Sequence, residues 1–211
     1  MESFDALYPF HGDNWELSQS VRLLRKFSNV RNIYVVGDDP RLPDITHIPF
    51  IQQDRKEINI WKKVLAGCFI EDMSEKFLFM NDDHFLTRGT DFPLVHGERP
   101  SECSEQYFNA MVNTSKKLVE LGKNDTYFDI HYPFFVEKNK FLGVFSVFND
   151  GTEYVFKSAY CNFWGMEGDF AEDKKIKFLG GIADYRAFIG DSWCFSTELL
   201  TEPLKELILQ M

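Results

Sequence analysis

Phe77-Leu78-Phe79-Met80-Asn81-Asp82-Asp83-His84 is an apolar run that stops abruptly on an amide and two carboxylates. Four consecutive apolar residues do not alternate between core and solvent, so a strand here is covered on both faces, as strands of parallel sheets are. Upstream, Ile33-Tyr34-Val35-Val36 has the same character and stops at Gly37-Asp38-Asp39-Pro40. Leu7-Tyr8-Pro9-Phe10 is a shorter candidate, ended by His11-Gly12-Asp13. Helical periodicity fills the gaps. Leu17, Val21 and Leu24 fall at i, i+4 and i+7, with Ser20 and Phe27 on the flank. A second helix starts at Asp54, with Glu57 three residues later in a capping-box pattern, and buries Ile58, Trp61, Leu65, Cys68 and Phe69. A third runs from Ser104 to Leu121, with Phe108, Met111, Ser115 and Leu118 on one side and Gly122 just beyond its end. Buried strands separated by helices predict an α/β fold with a mixed, mainly parallel sheet flanked by helices.

Beyond Thr126 the alternation loosens. Tyr127–His131 reads as a strand, and Phe141, Val144, Phe145 and Phe148 as one face of a helix. Ile176–Leu179 and Phe188–Gly190 read as short strands, and Pro203–Met211 as a helix without a C-terminal cap. No repeat, low-complexity tract or linker divides the sequence, so residues 1–211 read as one domain, whether complete or cut from a longer chain.

A net charge of −10 argues against nucleic acid or an anionic membrane as the main partner. No apolar run approaches the roughly 20 residues of a transmembrane helix, and the Met-Glu-Ser-Phe-Asp start carries no export signal. Cys68, Cys103, Cys161 and Cys194 show neither a CxxC pair nor metal-ligand spacing. They read as reduced thiols of a cytoplasmic protein, in the host cytoplasm if the chain is viral. Among 211 residues 22 are Phe, so the core is expected to be strongly aromatic.

In open α/β sheets ligands bind at the carboxyl ends of the strands. Two of the buried strands end there in acid pairs, Asp38-Asp39 and Asp82-Asp83. Carboxylates gathered at one rim repel unless a cation or a hydroxyl-rich ligand sits among them. A Mg²⁺ or Mn²⁺ ion held by one or two carboxylates plus phosphate oxygens resolves the conflict and acts as a Lewis acid on a leaving nucleoside diphosphate. The plainer alternative is an Asx-turn at a strand end. Arg55, Asn59, Lys62 and Lys63 form a polar stripe on the second helix. It is either a source of positive charge for a diphosphate or simply a solvated face. His131, before a proline, is a candidate metal or phosphate ligand or a structural histidine. A catalytic base has to come from the distal acids Asp150, Glu153, Asp184 and Asp191, among which spacing does not choose.

Several stretches resemble the Stealth family of sugar-phosphate transferases, which are related to GT-A enzymes. These are Asn14-Trp15-Glu16-Leu17 with Ser20-Val21-Arg22; Asn32-Ile33-Tyr34-Val35-Val36-Gly37-Asp38-Asp39-Pro40; Asn59-Ile60; and Met73 through Asp83. Shorter matches follow at His131-Tyr132-Pro133 and Phe156-Lys157-Ser158. Two departures matter. Leu7-Tyr8-Pro9-Phe10 replaces the family's opening strand and tryptophan-aspartate segment, and Lys157 stands where the family has an arginine, giving a point charge in place of a bidentate fork. The chain therefore looks more like a compact GT-A glycosyltransferase, of the kind viruses and bacteria use on surface glycans.

That resemblance implies a GT-A-like fold, a nucleotide diphosphate sugar donor (UDP-linked), a glycan acceptor, and Mn²⁺ or Mg²⁺ as cofactor. It implies Asp83 at the metal, assisted by Asp82 and His131, with Asn81 taking the first place of the Asp-x-Asp element. Tyr8 and Asp38 would flank the nucleotide, Asn59, Lys62 and Lys63 the diphosphate or sugar, and Asp191 and His131 would be the catalytic candidates. Stealth-like transfer of sugar-1-phosphate and a non-catalytic nucleotide- or metal-binding domain are the competing expectations.

Overall fold

The computed structural model describes residues 3–12 and 14–211; the sequence readings at Met1, Glu2 and Asp13, and at the Asn14 side chain, lie outside the described residues. Five strands form the central sheet: β1 (Phe4–Phe10), β2 (Val30–Gly37), β3 (Thr46–Pro49), β4 (Lys76–Phe79) and β7 (Phe134–Glu137). Their order is β3-β2-β1-β4-β7. The first four run parallel, and β7 closes the β4 edge antiparallel, with Phe77 opposite Val136. The sheet is mixed and mainly parallel, as the sequence predicts.

Each strand feeds two cores by alternation. Ala6, Tyr8 and Phe10 of β1 face one core with Ile33 and Val35 of β2 and Leu78 of β4. Leu7, Tyr34, Val36, Phe77 and Phe79 face the other. The first core is covered by α1 (Asn14–Phe27) through Leu17, Val21 and Leu24, and by α7 (Glu202–Gln210) through Leu204, Leu207 and Ile208. The second holds α2 (Lys56–Cys68), α4 (Lys138–Phe148) and α5 (Phe156–Phe163). Its centre is aromatic: Trp61 stacks on Phe148 at 6.0 Å and meets Phe156 edge-on at 5.0 Å, while its Nε1–H donates to the Tyr154 carbonyl at 2.9 Å. Ring pairs of this kind add about 0.5–1.5 kcal/mol each beyond burial.

The third helix is α3 (Glu105–Glu120), capped by Ser104, whose Oγ accepts from Tyr107 N. Gly122 beyond it has φ +66, the left-handed conformation glycine tolerates. The α3 face differs in detail from the one read: Ala110, Met111, Thr114 and Leu118 are buried, while Phe108 is exposed. Two small sheets complete the fold. β5 (Phe85–Leu86), β10 (Cys194–Thr197) and β9 (Lys175–Ile176) make one, and β6 (Val95–His96) with β8 (Asp169–Phe170) the other. α6 (Ile182–Ile189) precedes β10.

Four readings need correction. Asp54 and Glu57 do not make a capping box: Arg55 is the N-cap and makes no side-chain cap bond, because Asp54 is engaged with Lys62 and Glu57 is buried. The buried face of α2 is rotated, with Asn59 and Lys63 inside and Phe69 outside. Tyr127–His131 is extended but unpaired as a strand; α5 side chains satisfy its backbone, Asn162 accepting from Thr126 N and Ser158 from Phe128 N. Phe188 and Ile189 end α6 instead of forming a strand, since Gly190 N–H closes the helix onto the Arg186 carbonyl.

Candidate functional site

Strands β2, β1 and β4 lie side by side, and the chain leaves their carboxyl ends into His11-Gly12, Asp38-Asp39 and Asn81-Asp82-Asp83. β2 and β3 extend to one side of β1 and β4 to the other, the reversal of strand order at which open α/β sheets bind ligands. The ends are tightly drawn together. A Cβ on Gly37, where φ is +148, would lie 1.9 Å from the Phe10 carbonyl oxygen; no other residue fits there. Asp38 lies half-exposed beside this glycine. It accepts from Gly12 N at 3.1 Å and pairs with His11 Nδ1 at 2.6 Å. The His11 hydrogen bond is the main cause holding its carboxyl below the ordinary range.

The Asn81–His84 turn is closed by a histidine. His84 N–H donates to the Asn81 carbonyl, and Asn81 N–H donates to His84 Nδ1, both at 3.2 Å. With Nδ1 accepting, the ring proton sits on Nε2. That nitrogen is buried and has no partner among the described residues. Burial first, then the charges of His131, Lys157 and Lys175, keep this imidazole neutral well below its usual titration range. Asp82 is pushed up to about 6, by burial and then by the adjacent Asp83. The acid pair is thus a site of unrelieved like charge.

Lys63 brings a cation to the end of β1. It is buried, and its Nζ donates to the Phe10 carbonyl at 2.7 Å, at the end of β1. Burial lowers its pKa, opposed by Asp38 and Asp82; its charge therefore stands between the two acid pairs. The polar stripe read on α2 splits. Asn59 is buried and donates to the Asp54 carbonyl at 2.5 Å, and Lys62 points out to Asp54 Oδ2 at 2.5 Å. Both bond to the loop that starts α2, while the buried Asn59 Oδ1 has no partner among the described residues. Lys63→Met keeps the stem but strands the Phe10 carbonyl and removes the cation. We expect a loss of about 1–3 kcal/mol in stability, measured by denaturant unfolding, together with weaker binding of any anionic ligand.

His131 reaches this rim through the small sheet. The acid turn leads directly into β5. β10 pairs with β5 (Cys194 opposite Leu86) and with β9 (Ser196 opposite Lys175). Asp173, just before β9, accepts from His131 N at 3.1 Å and pairs with His131 Nδ1 at 2.8 Å. Lys175 Nζ sits 3.0 Å from His131 Nε2. The His84 and His131 rings meet edge-on at 6.5 Å. Asp173 therefore fixes the tautomer, and Lys175 occupies the lone pair a metal would need.

Among the described residues no three His, Cys, Asp or Glu side chains converge on a possible metal position. The Asp82-Asp83 pair nevertheless fits the mode in which one or two carboxylates hold a divalent ion whose other ligands are phosphate oxygens. His131, with Nε2 facing Lys175, does not fit as a third ligand.

Two further candidates lie elsewhere. Tyr8 is fully buried, its hydroxyl 3.1 Å from Ser20 Oγ, which in turn donates to the His84 carbonyl at 2.6 Å. It props the acid turn from inside the core and has no surface to offer a nucleotide. Asp191 is exposed in the turn after α6, where its carbonyl accepts from Arg88 at 2.5 Å; no contact joins its carboxylate to the acid pair. Lys157 is buried, donates to the Tyr132 carbonyl at 2.8 Å, and has a pKa lowered by burial to about 8. It secures the backbone flanking His131.

His84, Asp173, Lys175 and His11 escaped the sequence reading. His84 had a signal, since it ends the decisive stretch itself; Glu172-Asp173-Lys174-Lys175 reads only as a solvated charged loop.

No protein-family model matches the chain, and no curated sequence matches it, so the Stealth resemblance stands on the quoted motifs alone. Among solved structures, the galactosyltransferase LgtC, crystallised with donor and acceptor sugar analogs, superimposes with a TM-score of 0.52 at 13% identity. The match covers 99% of this chain and 96% of that one. At that identity the likeness is one of architecture: this chain has a GT-A-like fold.

Proposed function

We propose that this chain is a metal-assisted glycosyltransferase that moves a hexose from a nucleotide diphosphate sugar, UDP-linked, to a hydroxyl of a glycan. The observation that carries the reading is the Asp82-Asp83 pair, set just beyond the carboxyl end of β4, the neighbour of β1, with Asp82 pushed up to about 6 by burial and Asp83. The superposition on a galactosyltransferase supports it. Asp83 and Asp82 would hold Mn²⁺ or Mg²⁺, and the bound ion would stabilise charge on the leaving diphosphate.

The chain's own residues do the positioning. Lys63 offsets the acid pairs from beneath, and His84 and Tyr8–Ser20 hold the Asn81–Asp83 turn in place. Asp38, fixed by His11 and Gly12, stands at the end of β2 beside the end of β1. His131, held between Asp173 and Lys175, flanks the turn. These are the fixed dipoles and charges that lower a barrier without reorganising during reaction.

A thermal-shift series with UDP, CMP and GMP, each with Mn²⁺ and with EDTA, tests the reading. Saturating ligand at about 100 times its Kd stabilises by about 2.7 kcal/mol, which for a chain of this size raises Tm by roughly 5–10 °C. We expect the largest shift with UDP plus Mn²⁺. Equal shifts in EDTA would remove the cation from the account.

A further inference from the structure

A cleft of about 380 Å³ lies where the N-terminal half of α3 meets the Gly151–Glu153 turn and Arg55 ahead of α2. Its lining residues are polar, with one glycine, and their carbon stems share the surface with their polar heads. Gln106, Asn109 and Asn113 of α3 face Arg55, Thr152 and Glu153, and no aliphatic or aromatic side chain lines it. The floor is a built feature. Glu153 is only 6% exposed, rare for a carboxylate. Its Oε2 accepts from Arg55 Nη1 at 3.1 Å and its Oε1 from Gln106 Nε2 at 2.7 Å. Its backbone carbonyl accepts from Asn113 Nδ2 at 3.4 Å. One acid thus ties together α3, the residue that caps α2 and the 151–153 turn.

The chemistry selects among ligands. Three carboxamides each present donors and acceptors, the inventory that matches vicinal hydroxyls. Arg55 is already paired with Glu153, and Glu105 adds another negative charge, so a phosphate or nucleotide would be repelled. The volume falls in the lower part of the range for small-ligand pockets. α2 leads from the cleft to the strand-end rim: Arg55 just ahead of it lines the cleft, and Lys63 further along donates to the Phe10 carbonyl at the end of β1.

We infer that this cleft binds an uncharged saccharide, the inner ring of the glycan whose terminal hydroxyl receives the hexose. The assignment to the acceptor rests on the transferase reading; the cleft as a saccharide site stands on its own lining.

The test is saturation-transfer NMR with lactose, maltose, cellobiose and chitobiose on the wild-type chain and on Asn109→Trp. Asn109 is exposed on α3, so the indole fills the cleft without entering the core. Gln106→Ala, which removes one of the two donors to Glu153, is the second variant. At least one disaccharide should bind the wild type and bind Asn109→Trp at least about tenfold more weakly, a change of about 1.4 kcal/mol. The shift with UDP and Mn²⁺ should be unchanged in that variant. Failure of all four sugars to bind, or equal binding by wild type and both variants, would overturn the inference. So would loss of the UDP shift in Asn109→Trp, which would put the nucleotide in the cleft. Disaccharide binding lost in Asn109→Trp, with no UDP response in the wild type, would uphold the saccharide site while removing the donor reading.

Discussion

Glu57→Gln should raise the melting temperature by roughly 10 °C at pH 8 and by little at pH 5. Glu57 is buried in the first turn of α2, and its pKa is pushed up to about 8 by burial, then by Asp129 and Glu153, with Lys56 opposing. The helix N-terminus favours a carboxylate there, but burial outweighs it. In the unfolded chain this carboxyl ionises near its ordinary value of 4.5. Below that pH both states are protonated and the group is neutral in its effect. As pH rises from 4.5 to 8 the unfolded state releases its proton while the fold retains it, so stability falls. Above 8 the loss is complete. At pH 8 the penalty is about 4 kcal/mol, and glutamine, which never ionises, is free of it; at about 2–4 °C per kcal/mol the gain in Tm follows. A gain that does not depend on pH, or a loss at pH 8, would mean that Glu57 is ionised and paired in the fold.

Asp83→Asn should leave the ligand-free stability within about 1 kcal/mol of wild type, as for substitutions outside the core. It should also lower turnover of a UDP-sugar by 10²-fold or more, the scale on which a lost electrostatic stabiliser of a transition state is felt. The carboxylate lies in a turn whose closure is supplied by His84 and Asn81, so its removal costs the fold little. It also relieves the like charge on Asp82, whose pKa should fall back toward the ordinary range. A mutant that unfolds would instead make the acid pair part of the turn's own architecture.

How far the sequence reaches depends on what kind of signal an element carries. β1, β2 and β4 are legible because runs such as Phe77–Phe79 are apolar on both faces, and α1 because Leu17, Val21 and Leu24 keep strict period. β3 went unread: its four residues lie at the sheet edge with no apolar run. The two-residue strands β5 and β9 owe their existence to the ladder through β10: β5 is too short for any periodicity, and of the strand read at Ile176–Leu179 only Ile176 belongs to β9. The site divides along the same line. Acid pairs at strand ends are a local pattern and can be read. The Asp173–His131–Lys175 cluster joins residues 42 and 44 positions apart, which only the folded second half brings together. Lys63 was misplaced because helical period assigns charged residues to solvent, whereas here the stem runs under the rim to the Phe10 carbonyl.

The central claim is tested most directly by ³¹P NMR of a UDP-hexose incubated with the protein and Mg²⁺, for wild type and Asp83→Asn. The account predicts that wild type releases UDP, that EDTA stops it, and that Asp83→Asn is slower by 10²-fold or more while still folded. Release of UMP in place of UDP, undiminished release in EDTA, or an Asp83→Asn variant as active as wild type would contradict it.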